Sequence, residues 1–124
     1  MVRPLSVLFA LLVTGCSSPT DPATDILSAH AENRTLRLAN TSDDPVYFFA
    51  ADKDALALLN WAICVDPAKC RAVQPHSTKT VPYSEIAAYQ QESGNAVVYH
   101  WRIISKGSGQ YDYDKLRALE VKLH

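Results

Sequence analysis

The sequence predicts a mainly β protein, a small β-sandwich of about six to eight short strands with one or two helical turns. Three observations lead to this prediction. Short runs rich in β-branched and aromatic residues recur along the chain, and turn-forming residues separate them. The longest run, 96–104, is rich in valine, isoleucine and aromatic residues. Residues 119–123 alternate apolar and polar side chains, as a half-buried strand does.

The first predicted strands flank a turn. Residues 35–39 read Thr-Leu-Arg-Leu-Ala, which predicts a strand with Leu36 and Leu38 pointing inward. A dense turn cluster follows at 40–45, and 46–50 reads Val-Tyr-Phe-Phe-Ala, a strand buried on both faces. Together they predict a hairpin. A strand, an Asn-rich turn and an aromatic strand loosely resemble immunoglobulin-type domains, although the Cys…Trp…Cys hallmark of that family is absent.

The residues in the middle of the chain predict short helices and short strands. Residues 52–59 open with Asp-Lys-Asp and fit a short helix, although an irregular strand is an alternative. Short strands are predicted at 71–73 and 78–81, with 74–77 as a hairpin turn between them. Residues 84–89 fit a helical turn.

The strand predicted at 96–104 carries two faces. Tyr99 and Trp101 share one face with other apolar residues, and His100 lies on the opposite face. We expect His100 to be a half-exposed strand residue, because a metal ligand or general base needs a partner at suitable spacing. The four histidines of the chain are scattered, with no such pair among them.

The first fifteen residues have the features of a secretory signal peptide. Arg3 supplies a positive charge, and the apolar run 5–13 is shorter than the roughly 20 residues that span a bilayer. The run ends in Leu12-Val13-Thr14-Gly15-Cys16. This pentapeptide resembles the lipobox of bacterial lipoproteins, which has an aliphatic residue, a small residue, Gly or Ala, and an obligatory Cys.

The lipobox resemblance implies cleavage before Cys16 and a location in the cell. It implies a diacylglyceryl group on the Cys16 thiol and a further acyl chain on its amino group, and two or more chains make anchoring stable. Ser17 stands where Asp commonly marks inner-membrane retention in diderm bacteria, so we expect the outer membrane, facing the periplasm. Residues 16–25, rich in Ser, Thr, Asp and Pro, predict a flexible tether before a single domain at 26–124.

Two further cysteines predict a structural disulfide. Export places Cys64 and Cys70 in an oxidising compartment, and Asp66-Pro67 between them is a turn signal. Closing so short a loop stabilises by roughly 2 kcal/mol in the chain-entropy model. A redox pair would use C-x-x-C, and a metal site lacks nearby paired histidines, so both alternatives are weaker.

Composition and motifs give no sign of catalysis. The net charge of −1 does not favour nucleic acid as a partner. We expect no metal or catalytic residue, and no cofactor beyond the lipid on Cys16. Tyr111 and Tyr113 lie between polar residues and near glycines, so they are the predicted exposed binding contacts. Asp112 and Asp114 flank Tyr113 and fit a solvated loop better than a calcium site.

The function predicted from these features is a non-enzymatic envelope lipoprotein that binds or scaffolds an envelope protein or glycan. An inhibitor or immunity-type lipoprotein acting on a periplasmic hydrolase or toxin is one alternative. A small enzyme acting on wall or glycan is another, with Glu85, Glu92 and His100 as its parts. A module that binds sugar or lipid would need an exposed aromatic strip.

Overall fold

The computed structural model describes residues 26–124. The predicted signal peptide, Cys16 and the tether lie outside this range. Within it, nine strands pair antiparallel in three sheets, which confirms the predicted small β-sandwich. The count exceeds six to eight because two segments without a strong strand pattern, Leu27–Glu32 and Gln110–Tyr113, also pair with neighbouring strands.

The strands are short and follow one another with few helical residues between them. In chain order they are β1 (Leu27–Glu32), β2 (Thr35–Asn40), β3 (Val46–Asp52), β4 (Ala72–Val73), β5 (Ser77–Pro82), β6 (Asn95–Trp101), β7 (Ile103–Gly107), β8 (Gln110–Tyr113) and β9 (Arg117–Lys122). Two 3₁₀ helices span Lys53–Leu58 and Tyr83–Glu85, close to the predicted helical turns. The Asp52 side chain caps the first helix by accepting the Ala55 N–H at 3.0 Å.

Two of the sheets form the layers of the sandwich. One has the order β1-β2-β5, the other β9-β6-β3-β4, and β7 and β8 form a separate two-stranded hairpin. Leu36 and Leu38 are fully buried between the layers, as their alternation predicts. They meet Phe48, Val98 and other inner-face residues of the four-stranded sheet. Burying one such leucine side chain contributes about 1.5–3 kcal/mol.

The hairpin predicted for 35–50 is wrong. β2 pairs with β1 and β5, whereas β3 pairs with β4 and β6, so the two strands lie in opposite sheets. The turn predicted at 74–77 also joins strands of different sheets, because β4 pairs with β3 and β5 pairs with β2. Both turn clusters are therefore crossings between the layers.

The buried side chain of Asn40 ties these two crossings together. Its Nδ2 donates to the carbonyl oxygen of Asp44 at 2.7 Å, in the first crossing. It also donates to the carbonyl oxygens of Val73 at 2.9 Å and Gln74 at 3.2 Å, in the second. Its Oδ1 accepts from the backbone and the hydroxyl of Ser42 at 2.9 and 2.7 Å. A side chain that is 2% exposed thus fills all its bonding positions.

The outer face of the four-stranded sheet carries a layer of aromatic side chains. Cross-strand pairing places Tyr47 beside Trp101 and Phe49 beside Tyr99 on this face. Trp61, from the irregular segment that follows the first 3₁₀ helix, stacks on Phe49 with ring centroids 4.5 Å apart. It also lies 5.0 Å from Tyr99 and 6.4 Å from Trp101. The segment therefore covers what would otherwise be an exposed apolar sheet face.

Replacing Asn40 with alanine tests the importance of the crossings. We expect Asn40→Ala to lower the free energy of unfolding by about 2 kcal/mol, because buried carbonyl groups lose their donor. The matched control is Asn60→Ala, at an exposed position, with an expected change within about 0.5 kcal/mol. Denaturant unfolding followed by circular dichroism measures both. Equal effects of the two substitutions would contradict the role assigned to Asn40.

Candidate functional site

A groove of about 470 Å³ lies beside the β7–β8 hairpin, and we call it the hairpin groove. The residues that line it come from the first crossing, the disulfide loop and the hairpin: Asp44, Pro45, Tyr47, Pro67, Arg102, Ile103, Ile104, Ser105, Tyr111 and Asp114. A smaller cavity of about 300 Å³, lined by Val65, Asp66, Gly109 and Tyr111, adjoins it. Tyr111 lines both cavities.

A proline opens the hairpin groove. The pairing of β3 with β6 ends at Tyr47↔Trp101. Continuing that register would set Pro45 opposite Ile103. Proline has no N–H to donate, so the ladder stops there and the sheet separates.

A β-bulge widens the separation. β9 pairs with β6 as far as Arg117↔His100, and β8 resumes the pairing with β7 at Tyr113↔Ile103. Three residues on the β8–β9 side therefore face two on the β6–β7 side. One extra residue bends a two-stranded ribbon and increases its twist. The single strand predicted at 96–104 is accordingly divided at Arg102 into two consecutive strands, β6 and β7.

Arg102 and Asp114 hold the bulge in place. The Arg102 backbone N–H donates to Asp114 Oδ1 at 2.9 Å, and Arg102 Nε donates to Asp114 Oδ2 at 3.0 Å. The Asp114 N–H donates back to the Arg102 carbonyl oxygen at 3.0 Å. Arg117 and Asp44 extend the network, at 3.6 Å from Asp114 and 3.7 Å from Arg102 respectively. The network fixes the base of the hairpin to the sandwich.

The surroundings of Asp114 favour its ionised form. Burial disfavours the charge, but the N–H groups of Arg102 and Lys115 and the Arg102 and Arg117 guanidinium groups outweigh it. The pKa of the Asp114 carboxyl therefore lies below its ordinary value. The expectation that Asp112 and Asp114 both lie in a solvated loop is wrong for Asp114, whose side chain is only 19% exposed.

The loop closed by the disulfide forms part of the wall of the groove. Cys64 and Cys70 are bonded, with their Cα atoms 5.8 Å apart, which confirms the predicted pair. Trp101 Nε1 donates to the Cys64 carbonyl oxygen at 2.8 Å, so the loop is also pinned to the outer face of the sheet. Pro67 of this loop reaches the groove. A covalent bond and a partly buried hydrogen bond thus keep this part of the wall in position.

Tyr111 and Tyr113 are exposed, as the sequence predicts, with 43% and 39% of their surface accessible. Tyr111 and Tyr47 both line the groove. Burial raises the pKa of the Tyr47 phenol, and the nearby Tyr111 phenol raises it further. The other aromatic side chains Trp61, Tyr83, Tyr89, Tyr99 and Trp101 are buried or half-buried. Binding by Tyr111 and Tyr113 stays a prediction.

The expectation for His100 is wrong. Its side chain is 1% exposed, because β6 lies between β3 and β9 and its inner face packs against the other sheet. The other residues considered for catalysis do not gather around it. Glu85 bonds Arg71 at 2.8 Å on the surface, and Glu92 is exposed.

The described range contains no group of three or more His, Cys, Asp or Glu side chains that could hold a metal ion. Nor does any helix within residues 26–124 have the length and apolar character needed to cross a membrane. No protein-family model matches the chain, and no curated protein or solved structure is significantly similar to it.

Two residues important for the groove were missed in the sequence. The sequence pattern places Arg102 within a regular strand, and Pro45 only within a turn. The available signal was proline directly before a strong strand, where it can limit a ladder. An arginine and an aspartate twelve residues apart, on two segments joined by a glycine-rich turn, were the second signal.

The Asp114 carboxylate gives a pH-dependent prediction. We expect Asp114→Asn to lower the free energy of unfolding by about 2 kcal/mol at pH 7, because charge-assisted hydrogen bonds are lost. A carboxyl whose pKa is depressed in the folded state stabilises the fold at pH values above its ordinary pKa of about 3.9. This stabilisation is lost as the pH falls through the folded-state pKa. The gap between variant and wild type should therefore narrow as the pH falls below the ordinary value.

The control for this prediction is Asp112→Asn. The Asp112 side chain is exposed and accepts only the N–H of the next residue, Tyr113. We expect a change within about 0.5 kcal/mol at either pH. Urea unfolding at pH 7 and at pH 3 measures all three proteins. A gap for Asp114→Asn that stays constant with pH would rule out the ionised carboxylate as its cause.

Proposed function

We propose that this chain is a bacterial envelope lipoprotein, anchored through acylated Cys16, whose sandwich binds or scaffolds another envelope component without catalysis. The binding surface is the hairpin groove with Tyr111 and Tyr113. The single observation that carries the binding proposal is that Tyr111 is exposed and lines two adjoining cavities.

The groove has the chemistry of a contact surface. Tyrosine offers a large apolar ring with a polar end and loses little conformational entropy on binding, so it is frequent at interaction sites. Tyr47 extends the aromatic lining, and Asp44 and Arg102 supply polar groups at one end. Fixed walls favour affinity because little ordering remains to be done on binding. Here one wall is held by the disulfide and the other by the Arg102–Asp114 network.

The anchor limits where the domain can act. Nine residues, 17–25, separate the acylated cysteine from the first described residue, Ile26. Such a segment spans at most about 35 Å when fully extended. The partner would therefore be met near the membrane surface, which we propose is the periplasmic face of the outer membrane. A disulfide also suits that oxidising compartment.

Intact mass of the membrane-extracted protein tests the anchor. We expect a chain that begins at Cys16 and carries acyl mass, two hydrogens short until reduced. Cys16→Ser should keep the first fifteen residues and carry no acyl group, because the thiol is the acceptor. Double replacement of Cys64 and Cys70 by serine is the control, and should keep the acyl mass. A wild-type chain without acyl mass, beginning elsewhere, would refute the lipoprotein assignment.

Replacing Tyr111 tests the binding surface. We expect Tyr111→Ala to reduce recovery of a partner cross-linked in intact envelopes at least tenfold, which corresponds to a loss of about 1.4 kcal/mol or more. The control is Leu58→Ala, which removes an apolar side chain that is 86% exposed on the first 3₁₀ helix, outside the groove. Quantitative mass spectrometry of the cross-linked species measures both.

The identity of the cross-linked species sorts the alternatives. A hydrolase or toxin whose activity falls on binding would make the protein an inhibitor or immunity-type lipoprotein. A partner with unchanged activity would indicate scaffolding. Equal recovery with Tyr111→Ala and wild type would remove the groove as the binding surface.

A further inference from the structure

One wall of the hairpin groove is the backbone edge of a strand. Four consecutive residues, 102–105, line it. Successive side chains of a strand point to opposite faces, so a consecutive run is presented only where the strand lies edge-on to the cavity. Among residues 26–124, β7 pairs with β8 alone, and this pairing uses its other edge.

The hydrogen bonds of Arg102 show which backbone groups face the groove. Its N–H and C=O both point toward Asp114, on the β8–β9 side. Backbone groups of neighbouring residues in an antiparallel strand point to alternate edges. The N–H and C=O of Ile103 and of Ser105 therefore point into the groove, and those of Ile104 point to β8.

The opposite side of the groove cannot complete this edge. Pro45 stands where the next ladder partner would lie, and Pro67 lines the disulfide wall. Neither has an N–H to donate. The β7 edge thus keeps free donors and acceptors beside the cavity.

The free edge of β5 shows what a guarded edge looks like in this protein. Its Lys79 lies on the inner face of the sheet, paired opposite the buried Leu38, and Pro82 ends the strand. Inward-pointing charges and prolines are devices that discourage further strands from pairing. Residues 103–105 of β7 carry neither a charge nor a proline.

We propose that the hairpin groove takes an extended polypeptide segment of a partner protein, which adds as a strand to the free edge of β7. This inference rests on the proposed binding function and names its ligand class. Main-chain hydrogen bonds would supply affinity, and alternate side chains of the segment would supply specificity. Tyr111 and Tyr113 share one hairpin face with Ile103 and Ser105 by cross-strand pairing. The segment therefore carries apolar side chains at the alternate positions that meet this face.

A single proline substitution separates strand addition from side-chain docking. Ser105→Pro removes an N–H that points into the groove but leaves the β7–β8 pairing groups in place, as proline does on edge strands. Ser105→Thr keeps the N–H and is the matched control. The probe is a set of peptides selected from a random dodecapeptide display library on the mature chain in detergent. We expect their Kd to rise at least tenfold for Ser105→Pro and less than threefold for Ser105→Thr.

Amide hydrogen exchange, followed by NMR, supplies the second measurement. A selected peptide should slow exchange at the amides of Ile103 and Ser105 and leave that of Ile104 unchanged, because Ile104 already bonds toward β8. Slow exchange at Ile104 in free Ser105→Pro checks that the hairpin is intact in the variant. If exchange at Ile104 is faster in this variant, the affinity test uses Ile103→Pro instead, which removes the other groove-facing N–H. Ile103→Val, which keeps that N–H, is then the control.

The outcomes separate the two proposals. Peptides that lose affinity with Tyr111→Ala but bind Ser105→Pro as well as wild type would overturn strand addition and leave the groove as the binding surface. Failure to select any peptide would also overturn strand addition. Cross-linking that depends on Tyr111 would then still support the proposed function.

Discussion

The packing of the two sheets depends on one buried amide group, that of Asn40. Two of the three chain crossings between the layers of residues 26–124 carry carbonyl groups to which Asn40 donates, so this side chain ties the two crossings together. On the surface, His76 and Asp43 join the same two crossings at 2.6 Å, but an exposed pair contributes little. A buried amide with all its bonds made is costly to replace, because an apolar side chain leaves the carbonyl groups without this donor.

The hairpin groove follows from the same arrangement. Once the first crossing is fixed, Pro45 is held at the position where β3 would otherwise continue to pair with the β6–β7 strand. The extra residue in 115–116, opposite Trp101, then turns the hairpin away from the sheet. The cavity is therefore a product of ladder termination on one strand and a bulge on another. Neither feature disturbs the apolar layer between the sheets, whose residues lie elsewhere.

The sequence predicts local structure here better than the pairing of strands. Alternation identified Leu36 and Leu38 as inward, because period-two burial is written directly in the residues. The hairpin expected across 40–45 failed because turn residues mark a reversal but do not say which strand comes next to it. His100 was misjudged for a related reason, since burial of both faces of a central strand depends on what covers each face. The groove required Pro45, Arg102 and Asp114 to be brought together by long-range pairing.

The layer of aromatic side chains on the outer face of the four-stranded sheet has an optical consequence. Both tryptophans of the chain, Trp61 and Trp101, lie in this layer, and the second bonds the backbone of Cys64 itself. Disulfides quench nearby indole emission, and indole emission shifts with exposure to water. The intrinsic fluorescence of the protein therefore reports the covalent state and closure of one groove wall, and it does so without any added label.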